Sequence, residues 1–380
     1  MNNSSDRKIL HQAVLQSKRV VIKVGSNLVA PPTSNGEPSG VDRAMIEKLC
    51  QEILFLKQRG IEVILVSSGA VSMGRAVLSK TNLKYEPIIK PGLSRKQALA
   101  AIGQARLIAF YGEIFQKKEV AVSQLLLTAR DFRDRSAYLN IGHTIEELLR
   151  MGVVPIINEN DTVSTEELRF GDNDLLSAAC AGLLRSDLLI LLTSVDGFLI
   201  DNQRIGALTS IDNDTFSKAG GPSGGGSGGM RTKLRAGQLG LRTGFRVAIL
   251  PGRHNSPVES LFAGNDIGTL IGSNQTTTLN ARKQWLLFVR SRGALIIDDG
   301  AVNALVHKHS SLLWAGVRKV TGSFSQSEVV EIIDENQKSI GRGIVRASSK
   351  EIETSLKQKS PLHFEIIHRN DLITDIIDMG

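Results

Sequence analysis

Five short apolar runs, rich in β-branched residues, constrain the fold of this chain more than any other feature of its sequence. They are nearly continuous rather than alternating, which is typical of strands that are buried on both faces of a parallel sheet. Helical patterns separate them, and this alternation predicts right-handed βαβ units in a three-layer α/β/α sandwich with a mainly parallel open sheet. The five runs are VVIKVG (20–25), IEVILVSSG (61–69), VVPIINEN (153–160), DLLILLTS (187–194) and RVAILPG (246–252).

Amphipathic helical patterns lie between these runs. In DRAMIEKLCQEILFLKQRG, four apolar residues share one face of the predicted helix, namely Met45, Leu49, Ile53 and Leu56. Gly60 follows this pattern, and we expect the helix to end there because glycine is common just past a helix C-terminus. Two further helices are predicted over RKQALAAIGQARLIAFYGEIF (95–115) and TIEELLRMG (144–152).

The texture of the sequence changes after residue 272. A chain of 380 residues exceeds the size of one ordinary domain. The segment that follows GTLIG is polar and lacks apolar periodicity, so we predict a sandwich domain over 1–272 and a linker over 273–284. Residues 285–380 contain short β runs joined by Gly and Asp/Asn turns, which predicts a small β-barrel with one or two helices.

Four of the five predicted strands end in small or polar residues. In open α/β sheets, ligands bind outside the carboxyl ends of the strands. These ends would therefore converge on one edge and form a site, although the need for turn residues would also explain each of them singly. The four ends are Gly25-Ser26-Asn27, Ser67-Ser68-Gly69, Asn158-Glu159-Asn160-Asp161 and Thr193-Ser194.

A lysine interrupts the first predicted strand. Lys23 lies in an otherwise apolar run, two residues before Gly25, and lysine is rarely buried without a partner. One interpretation places Lys23 at a sheet edge with its amine in water. The other directs its cation at a phosphate beyond the strand end, where Gly25 and Ser26 would let backbone and hydroxyl approach.

Aspartates and asparagines cluster in INENDTVSTEELRFGDNDLLSA (157–178). Asp172, Asn173 or Asp174 could cap the helix that GDNDLLSAACAGLL opens, but a cap needs only one of them. The remaining members of the cluster, which include Asn158 and Asp161, can bind the ammonium group of an amino acid, hydrated Mg²⁺, or both.

A glycine-rich run, GGPSGGGSGG, leads directly into a basic helical segment that begins at Met230. Alone, these glycines would be a flexible linker. The N–H groups and the dipole of a helix N-terminus favour an anion, however, and they oppose the cation of Lys233 in the first turn unless an anion is bound. Lys23 and Lys233 could thus lie on either side of a transferred phosphoryl group.

Other kinds of site are not indicated. The sequence lacks a Walker A motif, a G-x-S-x-G motif and a Cys/His cluster with zinc-ligand spacing. Aromatic residues make up only 4% of the chain, which argues against a stacking surface for nucleic acid, whereas the net charge of +8 suits an acidic substrate or a nucleotide.

Cys50 and Cys180 lie in apolar segments and are expected to be core thiols. The short apolar runs and the polar N-terminus predict a cytoplasmic protein without a membrane span.

Together, these motifs resemble those of the glutamate 5-kinases within the amino-acid kinase family, along essentially the whole chain. The lysine strand and the glycine-to-helix loop are shared across that family, whereas INEND with GDND points to this branch. The resemblance implies ATP-dependent, in-line phosphorylation of the side-chain carboxylate of L-glutamate, with Mg²⁺, to L-glutamyl 5-phosphate in the first step of proline biosynthesis. The motifs include VIKVGSN, VSSGAVSMGR, AAIGQARL, VPIINENDTV, FGDNDLLSA, LLTSVDGF, GSGGMRTKLRA and SSLLWAGVRKVTGSF.

The same resemblance implies roles for individual residues. Lys23 and Lys233 would contact the transferred phosphoryl group, and Asp174 would hold these lysines in position. The glutamate-binding positions of the family are matched by Ser68, Asp161 and Asn173, with Asn158 and Asp172 as neighbours. The nucleotide-binding positions, besides Lys23, are matched by Thr193, Ser194, Ser227, Gly228, Gly229, Met230, Arg231, Thr232 and Lys233.

The sequence departs from the family at Ser194, where an aspartate is usual, and Asp196 follows two residues later. The C-terminal segment resembles a PUA domain, the small barrel found on many RNA-modifying enzymes. Ser327 stands where a glycine is usual and Arg346 where an aromatic residue is common, which argues against RNA as a partner. Membership would further imply feedback inhibition by proline and a homo-oligomer, either a dimer or a tetramer.

Two alternatives stay open at this point. The chain could be another amino-acid kinase that acts on N-acetylglutamate, aspartate or UMP. It could also be chiefly an RNA-binding or RNA-modifying factor that works through its C-terminal barrel, although no modifying active site can be identified in the sequence.

Overall fold

The structure is a computed structural model, and the chain in it folds into two compact units. The first comprises Met1–Asp131 with Leu139–Thr278, and the second comprises Phe132–Tyr138 with Leu279–Gly380. The structure describes residues 4–31, 40–81, 92–164, 173–219, 229–273, 281–287, 289 and 291–374.

A sheet of eight strands forms the centre of the first unit. Its strands are β1 (Arg19–Val24), β2 (Glu62–Val66), β3 (Val122–Leu127), β4 (Val154–Glu159), β5 (Leu188–Thr193), β8 (Ala207–Leu208), β9 (Arg246–Pro251) and β10 (Thr269–Ile271), while β6 (Leu199–Ile200) and β7 (Gln203–Arg204) form a separate hairpin. The strand order is β3-β4-β2-β1-β5-β9-β10-β8. Every described neighbouring pair is parallel except β9 with β10, which confirms the mainly parallel sheet predicted from the apolar runs.

Helices alternate with these strands along the chain. They are α1 (Ser4–Leu15), α2 (Ser26–Val29), α3 (Arg43–Gln58), α4 (Ala70–Ser79), α5 (Leu93–Gln116), α6 (Ala129–Arg133), α7 (Arg135–Arg150), α8 (Asn173–Leu183), α9 (Asn213–Ser217), α10 (Met230–Thr243) and α11 (Pro257–Phe262). The apolar face predicted for α3 is buried, and Gly60 just beyond its end has a φ of +73°, in the left-handed region that favours glycine.

Alternation along β1 decides which layer of the sandwich Lys23 faces. Val20, Ile22 and Val24 belong to a buried cluster that also contains side chains of α3 and α5. Because successive side chains of a strand point to opposite faces, Lys23 points to the other layer. On that side α8 contacts β1 and α10 packs against α8. The Lys23 amine therefore lies on the side of the sheet that these two helices cover.

All five apolar runs form strands. The observed strands β2, β4, β5 and β9 lie within their predicted ranges, and β1 begins one residue earlier than predicted, at Arg19. The helix predicted to begin at Met230 also begins there. The sequence interpretation missed β3, which lies at one edge of the sheet.

The second unit contains a five-stranded sheet. Its strands are β11 (Gly293–Ile297), β12 (Val317–Gly322), β13 (Val329–Asp334), β14 (Ser339–Ile344) and β15 (Leu372–Thr374), and its helices are α12 (Ala281–Leu286), α13 (Asp299–Val306) and α14 (Ser349–Gln358). The order is β12-β11-β13-β14-β15, with antiparallel pairs except for β11 with β13. Ser327 has a φ of +70°, so the position where a glycine is usual keeps the backbone conformation that favours glycine.

The domain boundaries placed at 272 and 285 stay predictions. Both cysteines are free and buried, as expected of core thiols, and burial raises the pKa of the Cys50 thiol to about 11. Among the described helices, α5 alone is long and apolar enough to cross a membrane by length and composition. The same properties suit a core helix, and Leu99, Leu107 and Phe115 of α5 are buried inside the first unit.

Candidate active site

One buried carboxylate joins two lysines from different elements. Asp174, in the first turn of α8, has no exposed surface, and its Oδ1 lies 2.6 Å from the Lys23 Nζ on β1. Its Oδ2 lies 2.9 Å from the Lys233 Nζ, in the first turn of α10. The lysines are 4% and 7% exposed, so all three charges are largely removed from water. Two cations and one carboxylate leave the cluster with a surplus positive charge.

A threonine adds a third donor to the same carboxylate. The Thr232 hydroxyl lies 2.8 Å from the Asp174 Oδ2 and 2.8 Å from the carbonyl oxygen of Gly229. Gly229 is the N-cap residue of α10 and has no side chain with which to cap the helix. Thr232 therefore connects the start of α10 to the carboxylate that holds both lysines.

Asn173, the residue before Asp174, belongs to a second polar cluster. Its Nδ2 lies 2.7 Å from the carbonyl oxygen of Ser67, 2.7 Å from the Ser68 Oγ and 3.0 Å from the Asn158 Oδ1. These partners lie at the carboxyl ends of β2 and β4, which are paired in the sheet. Adjacent residues of α8 thus serve the lysine cluster and this amide cluster.

Gly69 and Tyr111 stabilise the turn that carries Ser68. Gly69 is the N-cap residue of α4 and has a φ of +110°, which permits a sharp turn directly after the strand end. The hydroxyl groups of Ser67 and Tyr111 lie 2.8 Å apart. Burial raises the pKa of the Tyr111 hydroxyl, and therefore this group remains protonated as a hydrogen-bond partner of Ser67.

Glu159 is the last residue of β4, and Asp161 lies shortly after it. Asp161 is half-buried in the turn after the strand. Glu159 is buried, and its Oε1 accepts a hydrogen bond of 3.2 Å from the Ser164 hydroxyl. The structure thus places Asp161 in the turn that follows Asn158 and the end of β4. Asp172, the remaining residue predicted at this cluster, lies outside the described residues.

The predicted nucleotide residues are distributed over two places. Thr193 ends β5, the strand that pairs with β1, and its carbonyl oxygen accepts a hydrogen bond of 2.7 Å from Gly252. Ser194 is exposed. The exposed Arg231 is turned towards α9, where its guanidinium donates to the carbonyl oxygen of Phe216 at 3.0 Å. Met230 begins α10, whereas Ser227 and Gly228 lie outside the described residues.

The described side chains do not form a metal site of their own. No three His, Cys, Asp or Glu side chains come together as ligands within the ranges that the structure describes. Asp174, the buried carboxylate nearest to the lysines, already faces two ammonium groups. Its oxygens are therefore poorly suited to hold Mg²⁺ in addition.

Sequence reasoning missed two members of the site, Gln104 and Tyr111, and one contact of a third, Thr232. Gln104 bonds Asn158, Tyr111 bonds Ser67, and the Thr232 hydroxyl bonds Asp174 rather than only facing a nucleotide. Gln104 and Tyr111 lie on one amphipathic helix, α5, where polar residues on an otherwise buried face were the available signal.

Comparisons with known proteins show which family this chain resembles. The model of the amino acid kinase family matches residues 18–249, and that of the PUA domain matches residues 293–361. The chain is 40% identical to a glutamate 5-kinase from Rippkaea orientalis, over 95% of this chain and 95% of that protein. It is 37% identical to a glutamate 5-kinase from Caldanaerobacter subterraneus subsp. tengcongensis, over 93% of this chain and 97% of that protein. Among solved structures, carbamate kinase from Giardia aligns with a TM-score of 0.49 and 20% identity, over 68% of this chain and 100% of that chain.

Proposed function

This chain belongs to the glutamate 5-kinases of the amino acid kinase family, and we propose from that membership how its own residues carry out the reaction. The activity is the ATP-dependent phosphorylation of the side-chain carboxylate of L-glutamate. Its product is L-glutamyl 5-phosphate, and the reaction is the first step of proline biosynthesis.

The observation that carries the mechanism is the pair of lysines on Asp174. The distances of 2.6 and 2.9 Å give each ammonium group its own carboxylate oxygen, which fixes the positions of both cations. In phosphoryl transfer, negative charge spreads over the oxygens of the moving group. Preorganised cations at that place stabilise the transition state without reorganising during the reaction.

The transfer itself is a direct in-line displacement. An oxygen of the ionised glutamate side chain attacks the γ-phosphorus of ATP, and the bond from that phosphorus to the β,γ-bridging oxygen breaks as ADP leaves. The carboxylate already carries the electron pair and no proton, so no general base is needed. Lys23 and Lys233 hold the phosphoryl oxygens from two sides, and Asp174 keeps both lysines in place.

The space beside Lys23 supports this placement. Gly25 follows the strand, and a Cβ at this position would lie 3.8 Å from the Lys23 Nζ. The absence of a side chain therefore leaves room for a phosphoryl oxygen close to the ammonium group.

The amide cluster binds glutamate in this proposal. Ser68, Asn158 and Asn173 lie together at the ends of β2 and β4, next to the lysine cluster through Asn173 and Asp174. Hydroxyl and amide groups can accept hydrogen bonds from the α-ammonium group and donate to the α-carboxylate. Asp161 and Asp172 supply further acceptors for the ammonium group.

ATP binds across the end of β5 and the start of α10. Thr193 and Ser194 contribute from the end of β5, and Gly229 to Lys233 contribute from the start of α10, where the N–H groups of a fourteen-residue helix favour phosphate. By the family resemblance, Ser227 and Gly228 also contact the nucleotide. Ser194 in place of the usual aspartate removes a carboxylate from this contact. We propose that Mg²⁺ enters with the phosphates of ATP, since the described residues offer it no carboxylate cluster.

The remaining parts of the proposal concern the whole chain. We propose the domain boundaries 1–272 and 285–380, feedback inhibition by proline, a homo-oligomer that is a dimer or a tetramer, and a cytoplasmic location. RNA is the possible partner of the PUA domain. The Arg346 guanidinium lies 2.7 Å from a carboxylate oxygen of Glu365, so its charge is paired within the unit and contributes less to an RNA surface.

ADP release with a panel of acceptors tests the function. The purified chain should release ADP with L-glutamate and not with L-aspartate, N-acetylglutamate or UMP, and L-proline should reduce the rate. A second trapping assay with hydroxylamine should detect the acyl phosphate as a hydroxamate. Release of ADP with another acceptor and not with L-glutamate would refute the assignment.

A further inference from the structure

We infer that Gln104 is a positioning residue for glutamate recognition, because its Oε1 is the buried acceptor that holds the amide groups of Asn158 and Asn173 in the orientation that two backbone contacts set. The inference rests on the proposed binding of glutamate by this cluster. Gln104 lies on α5 within the AAIGQARL motif and is 9% exposed. Its Oε1 accepts a hydrogen bond of 2.7 Å from the Asn158 Nδ2.

Two backbone groups determine how the side-chain amides of Asn173 and Asn158 are oriented. The carbonyl oxygen of Ser67 can only accept, so the group of Asn173 that lies 2.7 Å from it must be the Nδ2. The N–H of Glu159 can only donate, so the atom of Asn158 that lies 2.9 Å from it must be the Oδ1. The orientation of both amide groups therefore follows from their contacts with these two backbone groups.

The remaining bonds follow from these two assignments. The Asn158 Oδ1 accepts from the Asn173 Nδ2 at 3.0 Å as well as from Glu159, which leaves the Asn158 Nδ2 as a donor. That donor is met by the Gln104 Oε1. Asn158 is 3% exposed, so water has little access to replace this acceptor.

The orientation has a consequence for the substrate. With its Nδ2 held by Ser67, Ser68 and Asn158, Asn173 keeps its Oδ1 without a hydrogen-bond partner among the described residues. A carbonyl oxygen is the group that an α-ammonium requires, whereas an NH₂ group would repel it. The hydrogen bonds that link Gln104, Asn158 and Asn173 thus leave the Asn173 Oδ1 as an acceptor for the ammonium group of glutamate.

Close helix packing brings Gln104 to this place. Gly103 precedes it, and a Cβ at Gly103 would lie 1.9 Å from the carbonyl oxygen of Ala70 in the first turn of α4. Likewise, a Cβ at Gly74 would lie 2.0 Å from the carbonyl oxygen of Leu99. Because the backbones of α4 and α5 are in direct contact at these glycines, Gln104 reaches the strand ends beside Ser68.

The test separates hydrogen-bond acceptance from bulk. Gln104→Met keeps an unbranched side chain of similar length but removes the acceptor, so the Asn158 Nδ2 loses its buried partner. Gln104→Glu keeps an acceptor oxygen at the same distance along the side chain. Gln116→Met makes the first change at an exposed position of the same helix and serves as the control.

We expect Gln104→Met to raise the KM for L-glutamate about tenfold, as is typical for a buried donor left unpaired, with the KM for ATP changed less than about twofold. Gln104→Glu should restore most of the affinity for L-glutamate, and Gln116→Met should leave both KM values unchanged. If Gln104→Met fails to fold, Gln104→Asn, whose shorter side chain withdraws the amide, should give the same selective rise.

Three outcomes would overturn the inference. An unchanged KM for L-glutamate in Gln104→Met, an equal rise in both KM values, or a Gln104→Glu variant as impaired as Gln104→Met would each exclude orientation through Asn158. A wild-type protein that releases no ADP with L-glutamate would refute the proposed function and the role of Gln104 with it. The wild-type assay therefore distinguishes the two failures.

Discussion

Asp174 is the residue on which the proposed chemistry depends most. Burying a carboxylate and two ammonium groups is unfavourable unless the charges pair closely and remaining hydrogen-bond positions are filled. Lys23, Lys233 and Thr232 meet those conditions, at distances of 2.6, 2.9 and 2.8 Å from its oxygens. This arrangement holds two ammonium groups in a largely buried place, where electrostatic interactions with a phosphoryl group are stronger than in water.

Removing this carboxylate should destabilise the fold. Asp174→Ala leaves two buried ammonium groups without their counter-ion, and we expect the free energy of unfolding to fall by about 3–5 kcal/mol. Urea denaturation measures this change. The matched control is Asp266→Ala, because Asp266 also bridges two cations, Arg7 and Arg204, but is 67% exposed.

The control should cost less than about 1 kcal/mol, since exposed ion pairs are weak. Equal effects of Asp174→Ala and Asp266→Ala on unfolding would contradict the account, because burial would then make no difference to the two bridged carboxylates.

Individual residues were predictable from the sequence where they broke a pattern. Lys23 was conspicuous in an apolar strand, and Lys233 opposed a helix dipole. The sequence could not show that both lysines pair with one carboxylate, because that depends on how β1, α8 and α10 meet in space. The roles of Gln104 and Tyr111 were also out of reach, since a polar residue on a long helix does not reveal its partner.

At the scale of elements, the crossing of α4 and α5 supports the glutamate side of the site. These helices touch through Gly74 and Gly103, with no side chain between the backbones. The first turn of α4 follows Ser68 and Gly69 directly, so the spacing of the two helices sets the position of the Ser68 hydroxyl.

A single methyl group at this crossing should disturb both stability and binding. In Gly103→Ala, the added Cβ would lie 1.9 Å from a backbone oxygen that cannot rotate away, so the helices must separate. We expect a loss of about 1–3 kcal/mol in the free energy of unfolding, as is typical of overpacked sites, and a raised KM for L-glutamate.

Gly112→Ala on the same helix is the control, because a Cβ there meets nothing within 4 Å. It should be neutral or stabilising by up to about 1 kcal/mol, as alanine is the better helix former. A Gly103→Ala variant with wild-type stability and an unchanged KM for L-glutamate would show that the close crossing does not set the site.

Strands were predictable according to how deeply they are buried. The five predicted strands lie inside the sheet, with apolar residues on both faces, and this leaves a continuous apolar run in the sequence. The edge strand β3 is only partly buried over most of its length, and β8 and β10 have two and three residues. Such short or half-exposed strands leave no comparable pattern.

For the whole molecule, the candidate site lies entirely within the first unit. Every described site residue lies between Lys23 and Lys233, and this unit has its own buried core. A division into two units was predicted from the sequence, because the pattern of apolar residues changes near residue 272. The place of Phe132–Tyr138 in the second unit did not, because it depends on packing between residues that are far apart in the chain.

Deleting residues 285–380 should therefore leave glutamate-dependent ADP release in place. Phe132 and Tyr138, which are buried and belong to the second unit, would lose cover, so the thermal midpoint should fall. Circular dichroism checks that the shortened chain remains folded. A folded but inactive shortened chain would show that the second unit takes part in catalysis, and a loss of RNA binding on deletion would give that unit an RNA role.

The most direct test of the central claim is the kcat of Lys233→Ala with L-glutamate. Asp174 keeps Lys23 as a partner in this variant, so the fold should persist. The transition state, however, loses one of the two cations that stabilise it. The account predicts a kcat about 10²–10³-fold lower, with little change in the KM for L-glutamate, by analogy with the loss of one preorganised donor. Lys117→Ala, at a lysine that is 61% exposed, should retain the wild-type kcat. An unchanged kcat in Lys233→Ala would contradict the account.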